Sequence, residues 1–196
     1  MPAAFPSHQG LLAPLWRRWP GRIAVLPLWV GALAPDAIDG VTNLLRRGEL
    51  GQGPGHSLFG AVFFDVPIGL LLLAGLRRLL RARSASRLGR YLLAIDSTGA
   101  GRRRLWIDAS AMALGTVSHV LFDWLSHEHA RLLWPFATDP DWFGAWWRTV
   151  WFRCSAPGYP DYPIGPHFVA WVLLSLLGLG MFVRYRPRPQ AGTRAS

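Results

Sequence analysis

The chain contains no lysine. All 21 of its basic residues are arginine, set against 11 acidic residues, a one-sidedness that reads as genome composition bias rather than chemistry. Cysteine is nearly absent as well. Cys154 stands alone, which excludes an internal disulfide and a cysteine-based zinc site, so any metal site here must be built from histidine and carboxylate. Charged residues make up only 16% of the 196 positions and hydrophobic ones 51%, a departure from soluble proteins towards membrane proteins. The first 20 residues lack an unbroken apolar core, and Arg17, Arg18 and Arg22 follow the first apolar stretch instead of preceding it, which argues against a cleavable signal peptide. Gly-x-Ser-x-Gly elbows, Walker loops and dinucleotide fingerprints are missing, so serine-hydrolase and nucleotide-binding readings have no support. Internal repeats and β-barrel alternation are missing too.

What the chain does have is apolar runs, 11 tryptophans and a net charge of +10. Such a charge can signal nucleic acid, but these arginines cluster beside apolar runs, which fits a membrane and not a nucleic-acid partner. Residues 58–76 (apolar except for Asp65), 105–125 and 168–183 read as spanning helices. Residues 11–16 and 23–34, the latter ending at Pro35-Asp36, are each too short to span and pair as a helical hairpin dipping into the bilayer. Residues 39–55 are polar and glycine-rich, hence a loop, and 77–104 form a loop or short surface helix dense in arginine. Thr138-Asp139-Pro140 looks like a helix start, and Trp142, Trp146, Trp147 and Trp151 after it suggest a helix lying in the membrane interface. The expected fold is therefore all-α: a polytopic membrane helical bundle of about three full spanning helices plus a short N-terminal helical hairpin. It occupies residues 1–185, with 186–196 a disordered basic tail.

Nine arginines fall between Arg77 and Arg104 and four more follow the last helix. The positive-inside rule puts both stretches in the cytoplasm, with Arg46 and Arg47 the exception. In that topology all six histidines gather at or near the extracytoplasmic helix ends. Scattered, solvated histidines would leave some in the arginine loop or the tail, and none is there.

His119, Asp123 and His127 recur at i, i+4 and i+8 of an otherwise apolar run, so they share one slowly drifting helix face. Each costs several kcal/mol to bury unpaired, a cost that Zn²⁺ or a similar ion removes by binding imidazole and carboxylate. His127 lies about 12 Å from His119 along the axis, a spread that suits two or more ions with Asp123 bridging. The alternative is a helix end whose last histidines, His127 and His129, meet water. Asp36 and Asp39 offer hard oxygen donors facing this helix, or are solvated acids in a turn. His56, between Gly55 and Ser57, sits at a helix start whose free N–H groups suit a phosphate oxygen; the alternative is an ordinary histidine near a helix start. His8, after Ser7, is unremarkable by spacing alone. His167 divides evenly between ligand and interface residue. Asp65, about 13 Å beyond His56 on a continuous helix, reads as structural, bonded to backbone freed by Pro67 or to an arginine.

Taken together, Ser7-His8, Ala34-Pro35-Asp36, Gly55-His56-Ser57-Leu58, Ser118-His119 with Asp123 and His127, and Leu132-Leu133-Trp134-Pro135-Phe136 resemble the bacterial LexA-regulated, membrane-bound metal-dependent hydrolases. The opening Met1-Pro2 through His8 and the stretch Phe64-Asp65-Val66-Pro67 look closer to a sister family of bacterial membrane proteins. Both are similar, more distantly, to zinc-dependent phospholipase C and P1 nuclease, which are helical and bind three zinc ions. The resemblance covers roughly residues 1–140. It implies His8, Asp36, His56, His119 and Asp123 as metal ligands with His127 beside them. It also implies one to three divalent ions, zinc foremost, and a multi-pass protein of the bacterial inner membrane.

The leading expectation is a metal-dependent hydrolase acting on a phosphoester of a lipid or small molecule. Asp36 or Asp39 would act as general base where metal leaves it free. The competing expectation is a non-catalytic metal-binding or transport protein with Asp65 on the ion path. A third is a structural membrane protein whose histidines satisfy one another.

Overall fold

The computed structural model describes residues 4–19, 23–45, 54–96, 101–126, 132–136, 145–154 and 162–185. The chain is an all-α bundle. Its helices are α1 (Ala4–Leu11), α2 (Ala13–Arg18), α3 (Val25–Leu45), α4 (Leu58–Gly60), α5 (Val66–Ala82), α6 (Arg87–Ala94), α7 (Gly101–Ser126) and α8 (Pro166–Arg184). A 3₁₀ turn, Pro54–His56, precedes α4, and a π turn, Ala61–Asp65, joins α4 to α5. Three segments are long and apolar enough to cross a bilayer: Leu58–Ala82, Gly101–Leu125 and Pro166–Arg184. The N-terminal hairpin has α1 and α2 as one arm and α3 as the other.

These three segments keep much of their apolar surface outside. Leu71 on α5, Leu105 and Trp106 on α7, and Leu173 and Leu176 on α8 are all exposed. A soluble protein does not leave such a surface to water; in lipid it is at home. Lipid is as apolar as the interior, so helix association rests on close packing and polar satisfaction. The tightest crossing is α3 against α7, where Gly115 meets the Leu28 carbonyl and Gly31 meets that of Met112. A β-carbon at either position would collide with backbone. Around this crossing lie Leu28, Leu73 and Met112, at most 1% exposed, with Trp16, Trp29 and Leu80 beside them.

Three sequence expectations are corrected. The helix expected to end at Pro35-Asp36 runs on to Leu45, so much of the expected loop over residues 39–55 is helical. Proline removes one intrahelical hydrogen bond, but Pro35 is fully buried and the packing around it outweighs that loss. Continuing the helix places Asp36 and Asp39, three residues apart, on one face. Secondly, residues 142–151 do not form an interface helix within the described part. It contains only a 3₁₀ turn, Ala145–Arg148, followed by strand β1 (Phe152–Cys154) paired antiparallel with β2 (Tyr162–Ile164). The expectation weighed tryptophan's interfacial preference and overlooked pairing of Phe152 with Ile164. Thirdly, α5 extends into the arginine-dense stretch as far as Ala82, while the short surface helix offered there as an alternative is α6, capped by Ser86, which accepts the Gly89 N–H at 3.0 Å.

That stretch also holds an ion network. Arg77 donates to Asp96 (Nε–Oδ2 2.8 Å, Nη2–Oδ1 2.6 Å) and to Asp108 (Nη1–Oδ2 2.6 Å, Nη2–Oδ1 2.9 Å). Arg104 adds a bond to Asp96 at 2.8 Å. The planar guanidinium fork suits two carboxylates at once and ties α5, the end of α6 and α7 together. The expected tail, residues 186–196, lies outside the described residues.

Candidate metal centre

At the other end of α7 a second polar cluster is buried. α3 brings Asp36 and Asp39, the 3₁₀ turn brings His56, and α7 brings His119 and Asp123. Asp36, His56, His119 and Asp123 offer one donor atom each, all within 4.8 Å of one another. The His56 Nε2 atom is 3.4 Å from Asp36 Oδ1 and 3.1 Å from Asp123 Oδ2. His119 Nε2 is 3.5 Å from Asp36 Oδ1 and 3.3 Å from Asp123 Oδ2. An ion bound tetrahedrally at about 2.0–2.1 Å sets its ligands about 3.3 Å apart. The four histidine–carboxylate pairs already have that spacing, so the residues present fit a zinc-like ion.

The far sides of both rings are pinned. His119 Nδ1 donates to the Ala32 carbonyl at 2.8 Å, and His56 Nδ1 to Asp39 Oδ2 at 2.6 Å. A carbonyl can only accept, so Nδ1 of His119 carries a proton and Nε2, facing two carboxylates, is left for an ion or a second proton. Acceptors packed this closely and largely shielded from water do not face one another without a cation or a proton between them. Backing a ligating histidine by a carboxylate or carbonyl is the usual outer arrangement of a metal site. Burial alone would push the His56 imidazole down, but hydrogen bonds to Asp123, Asp36 and Asp39 outweigh it and raise it to about 11. The carboxylates around His56 thus favour its positively charged form.

His8 adjoins the group without joining its four donors. Its ring stacks on His119 with centroids 4.3 Å apart, and its Nε2 lies 3.7 Å from Asp123 Oδ1. His127 and His129 fall outside the described residues. His167 is buried at the start of α8 and is not one of the four. Asp36 is the open member, its side chain 25% exposed, against 6% for Asp123.

Two local expectations change. The first turn of α4 is not a vacant anion site: Ser57 Oγ accepts the Gly60 N–H at 2.9 Å, and the Leu132 carbonyl accepts the Leu58 N–H at 2.9 Å. Asp65 is bonded neither to freed backbone nor to an arginine; both its oxygens are buried without a hydrogen-bond partner among the described residues. Nor is it far from the centre. The straight-helix distance fails because the 3₁₀ turn folds back, so that a β-carbon on Gly55 would lie 3.2 Å from Asp65 Oδ1. A buried, unpaired acid was the signal in the sequence, but its neighbour could not be read from a helical repeat interrupted by a π turn.

Fold and site define a polytopic α-helical membrane protein with a buried His/Asp cluster. The chain belongs to the YdjM inner membrane protein family, whose model matches residues 6–191. Neither a curated protein nor a solved structure matches it, and kinship with phospholipase C is not shown.

Proposed function

We propose that this protein binds a divalent ion, zinc by its donor set, through Asp36, His56, His119 and Asp123, and uses it to hydrolyse a phosphoester, a lipid being the natural substrate for a site in this setting. The observation that carries the reading is the pair of Nε2 atoms aimed at two carboxylates at ligand spacing, with both Nδ1 atoms anchored. A bound ion of this kind polarises a phosphoryl oxygen and brings a water's pKa towards neutrality. The chain's own residues would do the rest. Asp36, the exposed carboxylate, marks the side from which substrate enters; released from the ion, it would open a position for water and be free to take that water's proton. Asp39 is 1% exposed and holds His56, which suits orientation of that ring better than the base role its sequence position suggested. His8 supports Asp123 and the face of His119. The arginine-rich side is cytoplasmic in this reading, and the centre opens outward.

A second reading is favoured by the closure of the site. Four protein donors saturate a tetrahedral ion, whereas catalytic zinc sites keep a position open. On that reading the protein holds or passes a metal without turnover, and Asp36 never leaves the ion. Zinc-loaded protein assayed against a panel of soluble phosphodiesters and phospholipids separates the two. Hydrolysis that is lost in Asp123→Ala supports the enzyme; bound zinc with no turnover on any substrate supports the second reading.

A further inference from the structure

We infer that Asp65 and Asp39 form a second cation site, distinct from the four-donor centre and joined to it through Asp39. This rests on the metal-binding reading above. Asp65 is 0% exposed, and neither of its oxygens has a hydrogen-bond partner among the described residues. An ionised carboxylate in that position costs several kcal/mol unless a cation compensates it.

Its oxygens and one of Asp39's lie around one place. The point where a β-carbon on Gly55 would stand is 3.2 Å from Asp65 Oδ1, 3.6 Å from Asp65 Oδ2 and 3.2 Å from Asp39 Oδ1. Three carboxylate oxygens from two helical elements thus converge on a notch that exists because residue 55 has no side chain. The π turn, Ala61–Asp65, is what presents Asp65 inward, and such turns recur at functional sites. The other Asp39 oxygen, Oδ2, accepts from His56, so one carboxylate contacts both sites.

The donor set decides the ion. Apart from Gly55's own chain neighbours, the three atoms nearest that point are all carboxylate oxygens, which favours a hard cation of the Mg²⁺ or Mn²⁺ kind, its remaining positions filled by water. The His-containing centre prefers zinc, so the two sites are separable by metal.

The test uses the full chain in detergent micelles, stripped with chelator, then dialysed against Zn²⁺ and Mn²⁺ together, with bound metal measured by mass spectrometry and Mn²⁺ by its paramagnetic resonance. Wild type should hold both metals. Asp65→Asn should keep zinc and bind Mn²⁺ at least tenfold more weakly. Gly55→Ala should do the same without any change of charge, because its methyl fills the notch. Wild type that takes zinc but no Mn²⁺ overturns the second site and leaves the first standing. Asp65→Asn that is folded and keeps its Mn²⁺ also overturns it, as does a variant whose only change is a higher melting temperature, the mark of a neutral buried acid. Wild type that takes neither metal overturns both sites.

Discussion

At the residue scale, the centre depends on side chains that touch no ion as much as on those that would. Asp39 fixes the His56 ring from behind, and such outer partners are typically worth 10–100-fold in metal affinity. Asp39→Asn should therefore weaken zinc binding by that order while the four donors remain, as a competitive chelator titration would measure. Unchanged affinity would mean that Asp39 does not orient the ring. Asp36, Asp39, His56, His119 and Asp123 were all legible in the sequence, because acids and imidazoles in apolar surroundings have few alternatives to pairing. The partners of their far sides were not. The Ala32 carbonyl that fixes His119 carries no side-chain signal, and the Asp39 bond to His56 depends on a turn that residue spacing does not describe.

At the scale of elements, the arginine-dense stretch is the clearest case of chemistry hidden by composition. Read as a block, its arginines announce a cytoplasmic surface. Individually, Arg77 is buried between Asp96 and Asp108, and the two acids were invisible until the helices brought them to it. Removing one partner of a buried ion network leaves uncompensated charge and costs about 3–5 kcal/mol. Arg77→Ala should lose stability on that scale in unfolding measured in mixed micelles, and Arg77→Lys part of it, since an ammonium cannot fork to two carboxylates. Zinc content should stay unchanged in whatever folds, because the network and the metal centre are 15 residues apart along α7, about 22 Å. Loss of metal in Arg77→Lys would show that the two clusters are coupled. The same scale explains the continuation of α3. Propensity stops the helix at Pro35, whereas close packing against α7 carries it through and brings Asp39 to the site.

At the scale of the whole molecule, the three spanning segments were readable from apolar length, since only helices satisfy their own backbone in lipid, and the N-terminal hairpin in outline but not in the length of its second arm. The β1–β2 ribbon was not, because three-residue strands leave no periodic pattern. The arginine asymmetry predicts a sidedness for the bundle. Reporter fusions after Arg90 should give cytoplasmic signal, and fusions after Trp151 extracytoplasmic signal. The reverse pattern would turn the centre towards the cytoplasm and change the pool of substrates it meets.

The gathered histidines and aspartates are proposed to hold a metal. Metal content per chain, measured on gently purified wild type and on Asp123→Ala, tests it most directly. The wild type should carry close to one zinc in the four-donor centre, and the variant almost none while its helical content is preserved. A metal-free wild type that zinc cannot load, or an Asp123→Ala variant that retains full occupancy, would contradict the claim.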